Sequence, residues 1–99
     1  VGSGTTWEAI DRVLAPRGLR LPYFGTFSGR AATVGGGLSG GALFYGTARY
    51  GAAADNVLDL EVVCADGRVL RTGQAAFRHG KPFYRTHGPD LTGLFLHDG

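Results

Sequence analysis

Nine glycines fall between Gly25 and Gly51, at positions 25, 29, 35, 36, 37, 40, 41, 46 and 51. No other feature constrains the fold as strongly. Glycine at this density costs backbone entropy on folding, and a flexible linker of such composition is rich in Ser and other polar residues. This stretch is threaded instead with Val34, Leu38, Leu43, Phe44, Tyr45 and Tyr50, and its only charges are Arg30 and Arg49. It reads as packed backbone that bends sharply or lets another body approach closely. Over the whole chain glycine supplies 18 of 99 residues, against a usual share of about 7%.

The rest of the composition excludes more than it identifies. A chain of 99 residues, 43% of them apolar, has room for one small domain with a core. Ten Lys and Arg against eight Asp and Glu leave a formal charge of +2, too small an excess to argue for nucleic acid or an anionic membrane. No run approaches the roughly 20 apolar residues of a membrane span, and no signal peptide is visible. The single cysteine, Cys64, cannot close an internal disulfide, so nothing points to an oxidising compartment and the cytoplasm is the expected location, or a membrane-peripheral place for the full-length protein. Methionine is absent, position 1 included, so the chain reads as a piece of a longer one.

Periodicity gives an α+β reading: a small, mostly antiparallel sheet with flanking helices. A helix is predicted from about Thr6 to Ala15, with Thr5 and Glu8 at capping-box spacing, an apolar stripe of Trp7, Ile10, Val13 and Leu14, and Pro16 and Gly18 as the stop. Arg20 to Phe24 can form a short strand. Asn56 to Leu70 reads as a hairpin: Leu58, Leu60, Val62 and Cys64 alternate with Asp59, Glu61 and Val63, and Asp66-Gly67 suits a two-residue turn. Residues 73 to 89 are loop-like, and Asp90 can cap a short helix from Leu91 to about Phe95.

Chemistry concentrates in Ala32-Thr33-Val34-Gly35-Gly36-Gly37-Leu38-Ser39-Gly40-Gly41. Small residues with free N–H groups, flanked by hydroxyls, suit a diphosphate, because glycine lets the backbone reach the phosphate oxygens and successive N–H groups form an anion-binding concavity. The segment is not a P-loop, since no Lys-Ser or Lys-Thr follows, nor a GxGxxG turn opening a helix behind an apolar strand.

The order of motifs strongly resembles the FAD-binding domain of the FAD-linked oxidases, the vanillyl-alcohol-oxidase and p-cresol-methylhydroxylase type that includes glycolate oxidase, D-lactate dehydrogenase and alkyldihydroxyacetonephosphate synthase. The resemblance covers nearly the whole chain. It runs through Val1-Gly2-Ser3-Gly4-Thr5-Thr6-Trp7, Thr33-Val34-Gly35-Gly36, Arg49-Tyr50-Gly51, Asp55-Asn56-Val57-Leu58 and Asp90-Leu91-Thr92-Gly93-Leu94-Phe95. It implies the second subdomain of such a module, with the first glycine-rich loop expected before Val1 and the C-terminal substrate-shaping cap expected after Gly99. It implies FAD as cofactor, a small-molecule substrate such as a hydroxy acid or alcohol, a separate electron acceptor, and the remainder of the FAD-binding domain as the structural partner. Gly35 and Gly36 are the leading cofactor contacts. Thr33 and Ser39 either offer hydroxyls to the diphosphate or make turn and cap hydrogen bonds. Gly29 and Ala32 lead into the loop, Gly40 and Gly41 offer backbone only, and Gly51 and Val57 are expected near the flavin or ribityl chain. Leu96-His97-Asp98-Gly99 departs from the family's pattern. No catalytic acid or base is identifiable.

Other reactive residues read as structural. His79, His87 and His97 match no compact zinc spacing and no second cysteine helps, so no metal is expected. Cys64 is expected to be a buried apolar residue, Asp55, Asp59 and Glu61 strand-edge charges, and Tyr45 and Tyr50 either ring-stacking residues or, more commonly, buried core. The alternative function is a glycine- and aromatic-rich module without catalysis. Such a module would bind single-stranded nucleic acid through Arg68, Arg71, Arg78, Lys81 and Arg85 beside Phe77, Phe83 and Tyr84.

Overall fold

The computed structural model describes residues 1–23, 29–73 and 89–97. The chain divides into two compact units, Val1–Asp55 with Leu96–Gly99, and Asn56–Phe95. Helices fill the first and an antiparallel hairpin forms the second, the α+β composition that the sequence predicts.

In the first unit, α1 spans Trp7–Leu14. Its N-cap is Thr6, not Thr5: the Thr6 hydroxyl accepts the Ala9 N–H at 3.2 Å. Thr5 is engaged elsewhere, its carbonyl taking the Val34 N–H at 2.8 Å, while Thr6 bridges to Thr33. Trp7 is buried and Ile10 and Leu14 half-buried, but Val13 is 61% exposed. At about 100° per residue, position i+6 lies roughly 240° round the helix from Trp7, off the apolar stripe. A 3-10 turn at Ala15–Arg17 and left-handed Gly18 (φ 66°) end the helix. The strand expected from Arg20 does not form over residues 20–23; Phe24 lies outside the described residues.

The glycine segment is not an open loop. Val34–Ser39 forms a short helix, α2, and Thr47–Tyr50 another, α3, followed by a 3-10 turn at Ala53–Asn56. Three consecutive glycines inside a helix oppose helix propensity by roughly 1 kcal/mol each, so packing must select them. A Cβ on Gly37 would stand 3.0 Å from the Phe44 ring and 3.2 Å from Trp7 Nε1, and one on Gly35 would stand 2.7 Å from Ser3 Cβ. The core beneath α2 is three aromatic rings, Trp7, Tyr23 and Phe44, with Ala53, and Leu21, Val34 and Leu38 pack against it. Trp7 and Phe44 meet edge to face with centroids 5.1 Å apart, and Tyr23 lies 6.4 Å from Phe44. Tyr45 and Tyr50, by contrast, are 68% and 45% exposed, so neither is core.

In the second unit, β1 (Glu61–Val63) pairs antiparallel with β2 (Val69–Arg71), Val62 opposite Leu70. The alternation holds from Leu60: Leu60, Val62 and Cys64 are half-buried and Glu61 and Val63 exposed. It fails at Leu58, which is 53% exposed and precedes the strand. The connection has three residues rather than two. Cys64 donates to the Arg68 carbonyl at 2.8 Å and accepts the Gly67 N–H at 2.9 Å, with Gly67 left-handed at φ 83°. This is the three-residue loop in which a glycine follows a tight turn. Asp66 accepts the Arg68 N–H at 3.0 Å and the guanidinium beside it. The Arg68 N–H first, and then the guanidinium, hold the Asp66 carboxyl below its ordinary value of 3.8.

Among the described residues of this unit, Thr72 and Thr92 are the buried ones, and their hydroxyls lie 2.8 Å apart. Thr72 also extends the ladder, its hydroxyl accepting the Leu60 N–H at 2.9 Å and its N–H donating to the Leu60 carbonyl at 2.9 Å. Asp90 accepts the Thr92 N–H at 2.9 Å as predicted for a cap, and the helix it opens is a 3-10 turn, Thr92–Phe95.

Candidate functional site

Geometry of α2 decides what its backbone can offer. The Val34 N–H donates to the Thr5 carbonyl (2.8 Å), the Gly35 N–H to the Ser3 carbonyl (2.8 Å), the Gly36 N–H to the Thr33 hydroxyl (3.2 Å) and the Gly37 N–H to the Thr33 carbonyl (3.0 Å). Four successive donors that the sequence reading left free for an anion are therefore satisfied within the chain. Two of the acceptors are carbonyls of the neighbouring Val1–Thr5 segment, and the other two are the hydroxyl and carbonyl of Thr33 at the helix start. Thr33 makes the cap hydrogen bond, the second of the two roles left open for it. The side chain of Ser39 is half-buried.

What α2 does offer is closeness. Gly36 is exposed, and a Cβ there would meet only the Thr33 hydroxyl, at 3.1 Å. Gly40 is exposed as well, while Gly41 is left-handed (φ 61°), with the His97 imidazole packed where a Cβ would stand. His97 is itself left-handed (φ 62°), and its N–H donates to the Leu38 carbonyl at 3.1 Å. The histidine is thus fixed to the exit of α2, a contact between residues so distant in sequence that no spacing rule reveals it. Gly29 and Ala32, which lead in, are half-buried. Beneath the helix, the buried Trp7 Nε1 has no hydrogen-bond partner and faces Gly37.

Gly51 closes α3 with φ 81° and ψ 179°, a conformation essentially restricted to glycine. The peptides around it are held by hydrogen bonds. The Gly51 N–H donates to the Thr47 carbonyl at 2.9 Å, and the Ala52 N–H to Asp55 Oδ2 at 3.0 Å. The buried Tyr23 hydroxyl lies 3.4 Å from the Tyr50 carbonyl and 3.2 Å from the Ala52 carbonyl, sharing one hydrogen between them. Asp55 is therefore a turn-closing carboxylate in a 3-10 turn, not a strand-edge charge. Arg49 lies over the Tyr50 ring at 5.4 Å, a cation–π contact. Sequence reasoning passed over Tyr23, whose partners are 27 and 29 residues away. Val57, the last of the predicted contacts, is half-buried in the second unit.

Thr33, Gly35, Gly36, Ser39, Gly40 and Gly41 thus gather on one short helix and its exit, with Gly51 on a rigid turn of the same unit. A family model described as "FAD binding domain" matches residues 1–73. The chain belongs to that FAD-binding family. FAD is accordingly its cofactor, and the resemblance drawn from the ordered motifs is correct. Among curated proteins it is 34% identical over 100 residues to "Probable D-lactate dehydrogenase, mitochondrial" of Danio rerio, covering 97% of this chain and 18% of that protein. It is 28% identical over 96 residues to "D-lactate dehydrogenase [cytochrome] 1, mitochondrial" of Saccharomyces cerevisiae, covering 97% of this chain and 15% of that one. To "Berberine bridge enzyme-like D-2" of Nicotiana tabacum it is 40% identical over 67 residues, 68% of this chain and 11% of the relative. The chain therefore spans less than a fifth of the length of these relatives.

The residues fit the cofactor in one respect and not in another. Exposed glycine backbone at Gly36 and Gly51 admits close approach, and at Gly51 the backbone conformation bars a side chain. Free amide donation from residues 34–37 is not on offer. Arg78, Lys81 and Arg85, with Phe77, Phe83 and Tyr84, lie outside the described residues, as do His79 and His87. Among the described residues no three His, Cys, Asp or Glu side chains converge as a metal site requires, and no helix is long and apolar enough to cross a membrane.

Proposed function

We propose that this chain is the FAD-holding segment of a flavoprotein oxidoreductase that oxidises a small 2-hydroxy acid, with D-lactate as the leading candidate. The observation that carries the reading is similarity along 97% of the chain to two D-lactate dehydrogenases from distant organisms. When bound, the flavin supplies the chemistry, accepting a hydride equivalent from the substrate carbon and passing electrons to an acceptor. The chain's own task is to hold and orient the cofactor, through close backbone approach at Gly36 and Gly51 and through the remainder of its FAD-binding domain. Substrate and electron acceptor meet the flavin in parts of the protein that correspond to the uncovered length of the relatives.

The test is made on the intact protein. It is expected to purify yellow, with flavin absorption bands that bleach anaerobically on addition of D-lactate and respond far less to L-lactate. Bleaching by a simple alcohol but by no 2-hydroxy acid would overturn the substrate class and leave the flavoprotein reading in place. A folded, colourless protein that takes up no added FAD would overturn both.

A further inference from the structure

We propose that Tyr23 and Asp55 are positioning residues for the cofactor, acting together as a clamp that holds Gly51 against FAD. The inference rests on the FAD reading above and adds to it two side chains that carry no glycine or phosphate signature. Its starting point is a position that requires glycine: at φ 81° and ψ 179°, Gly51 occupies a region open to glycine and avoided by other residues.

The peptides around it are held bond by bond. Thr47 takes the Gly51 N–H from the helix side. Asp55 takes the next N–H, that of Ala52, and its carboxylate oxygen stands 3.1 Å from the position a Gly51 Cβ would occupy. Tyr23 reaches from the aromatic core and bridges the carbonyls on either side of Gly51, those of Tyr50 and Ala52. The phenol is buried at 6% exposure while the glycine it braces is exposed. The turn is pinned from below and from the side, and its outer face is left bare. Tyr23 thereby transmits the rigidity of the Trp7–Phe44–Tyr23 cluster to a surface peptide.

Four variants of the intact protein test this: Tyr23→Phe, Asp55→Ala, Asp55→Asn and Gly51→Ala. Each is stripped of flavin and titrated with FAD well below its melting temperature, and the absorption spectrum of the reloaded protein is recorded beside its thermal melt. Tyr23→Phe keeps the ring and removes the hydroxyl, and is expected to raise the FAD Kd about two- to tenfold, the size of one lost neutral hydrogen bond. It should also shift the bound flavin's absorption bands. Asp55→Ala is expected to weaken FAD binding at least as much, and Asp55→Asn, which keeps an acceptor oxygen, to recover most of the loss. Gly51→Ala is expected to weaken binding most. Wild-type FAD affinity and spectrum in Tyr23→Phe, with only the melt lowered, would overturn the proposal by making Tyr23 a purely structural brace. If Tyr23→Phe does not fold, the Asp55 pair decides: equal affinities in Asp55→Ala and Asp55→Asn would overturn it. Wild-type affinity in Gly51→Ala would overturn the clamp while leaving the flavoprotein reading intact, whereas a wild-type protein that binds no FAD would overturn both.

Discussion

The described residues of the two units bury different materials. Among the described residues of Val1–Asp55, the buried ones are three rings and Ala53, with Phe44 in contact with both Trp7 and Tyr23 and a glycine helix lying on Trp7 and Phe44. Among the described residues of Asn56–Phe95, the buried ones are two threonines whose hydroxyls lie within hydrogen-bond distance of each other. Ring burial is tolerant of small shifts, because dispersion and apolar transfer are not directional. A buried hydroxyl pair is not, since each oxygen that loses its partner carries a desolvation cost. The contrast teaches that, among the described residues, the glycine-rich unit, loosest by composition, buries rings, while the hairpin unit, conventional by pattern, buries a hydroxyl pair that must stay bonded.

The largest effect is expected at the ring cluster. Phe44→Ala should destabilise the chain by about 3–5 kcal/mol, and hydrogen exchange should show it as lost protection over Val34–Ala42, whose helix rests on that ring. If protection is lost equally in Val62 and Leu70, the two units are one cooperative block and the comparison breaks.

An intermediate effect is expected at the hydroxyl pair. Thr72→Val strands both the Leu60 N–H and the Thr92 hydroxyl, and each buried unsatisfied group costs about 1–3 kcal/mol. Thr92→Val should cost less, because it leaves the Leu60 bonds of Thr72 in place. The double variant removes both partners at once and should be more stable than the sum of the single losses implies, a coupling that a double-mutant cycle in denaturant melts reads directly. Strict additivity would mean that the pair is not the unit's organising contact.

The smallest effect lies at the exposed hairpin turn. Asp66 is held below 3.8 by the Arg68 N–H and then the guanidinium. Its ionised form is favoured in the folded turn, so that contribution is fully present above pH 3.8 and is lost as pH falls through the lower folded value. An NMR titration of the Asp66 carboxyl should find its midpoint below 3.8, and Arg68→Ala should return it only part of the way, since the backbone N–H remains. A full return would transfer the credit from the turn's backbone to the guanidinium.

Much of this molecule is legible in order along the chain, because local physics writes it locally. The α1 stripe through Trp7, Ile10 and Leu14, the Pro16 and Gly18 stop, the Leu60–Val62–Cys64 alternation and the Asp90 cap all appear where pattern placed them. Errors fall where a neighbour distant in sequence intervenes. Thr6, not Thr5, is the cap: Thr5 lies one residue outside the helix, where its carbonyl takes the Val34 N–H. A Gly-Gly-Gly run sits in a helix in which Ser3 crowds the Cβ position of Gly35, and Trp7 and Phe44 that of Gly37. Tyr45 and Tyr50 stay outside because the core is already filled by Trp7, Tyr23 and Phe44.

For the cofactor site the division is sharper. Sequence alone determined the FAD-binding family, since its ordered motifs are covalent facts that survive without a fold. It also determined which residues have no side chain to obstruct a ligand, because glycine has no Cβ in any conformation. Only the tertiary structure decided which of those glycines face outward, which amides are still free to donate, and that Tyr23 and Asp55 grip the one at position 51. Each of those answers depends on an acceptor or a ring brought in from another part of the chain, and a backbone N–H carries no record in its own residue type of the carbonyl it will meet.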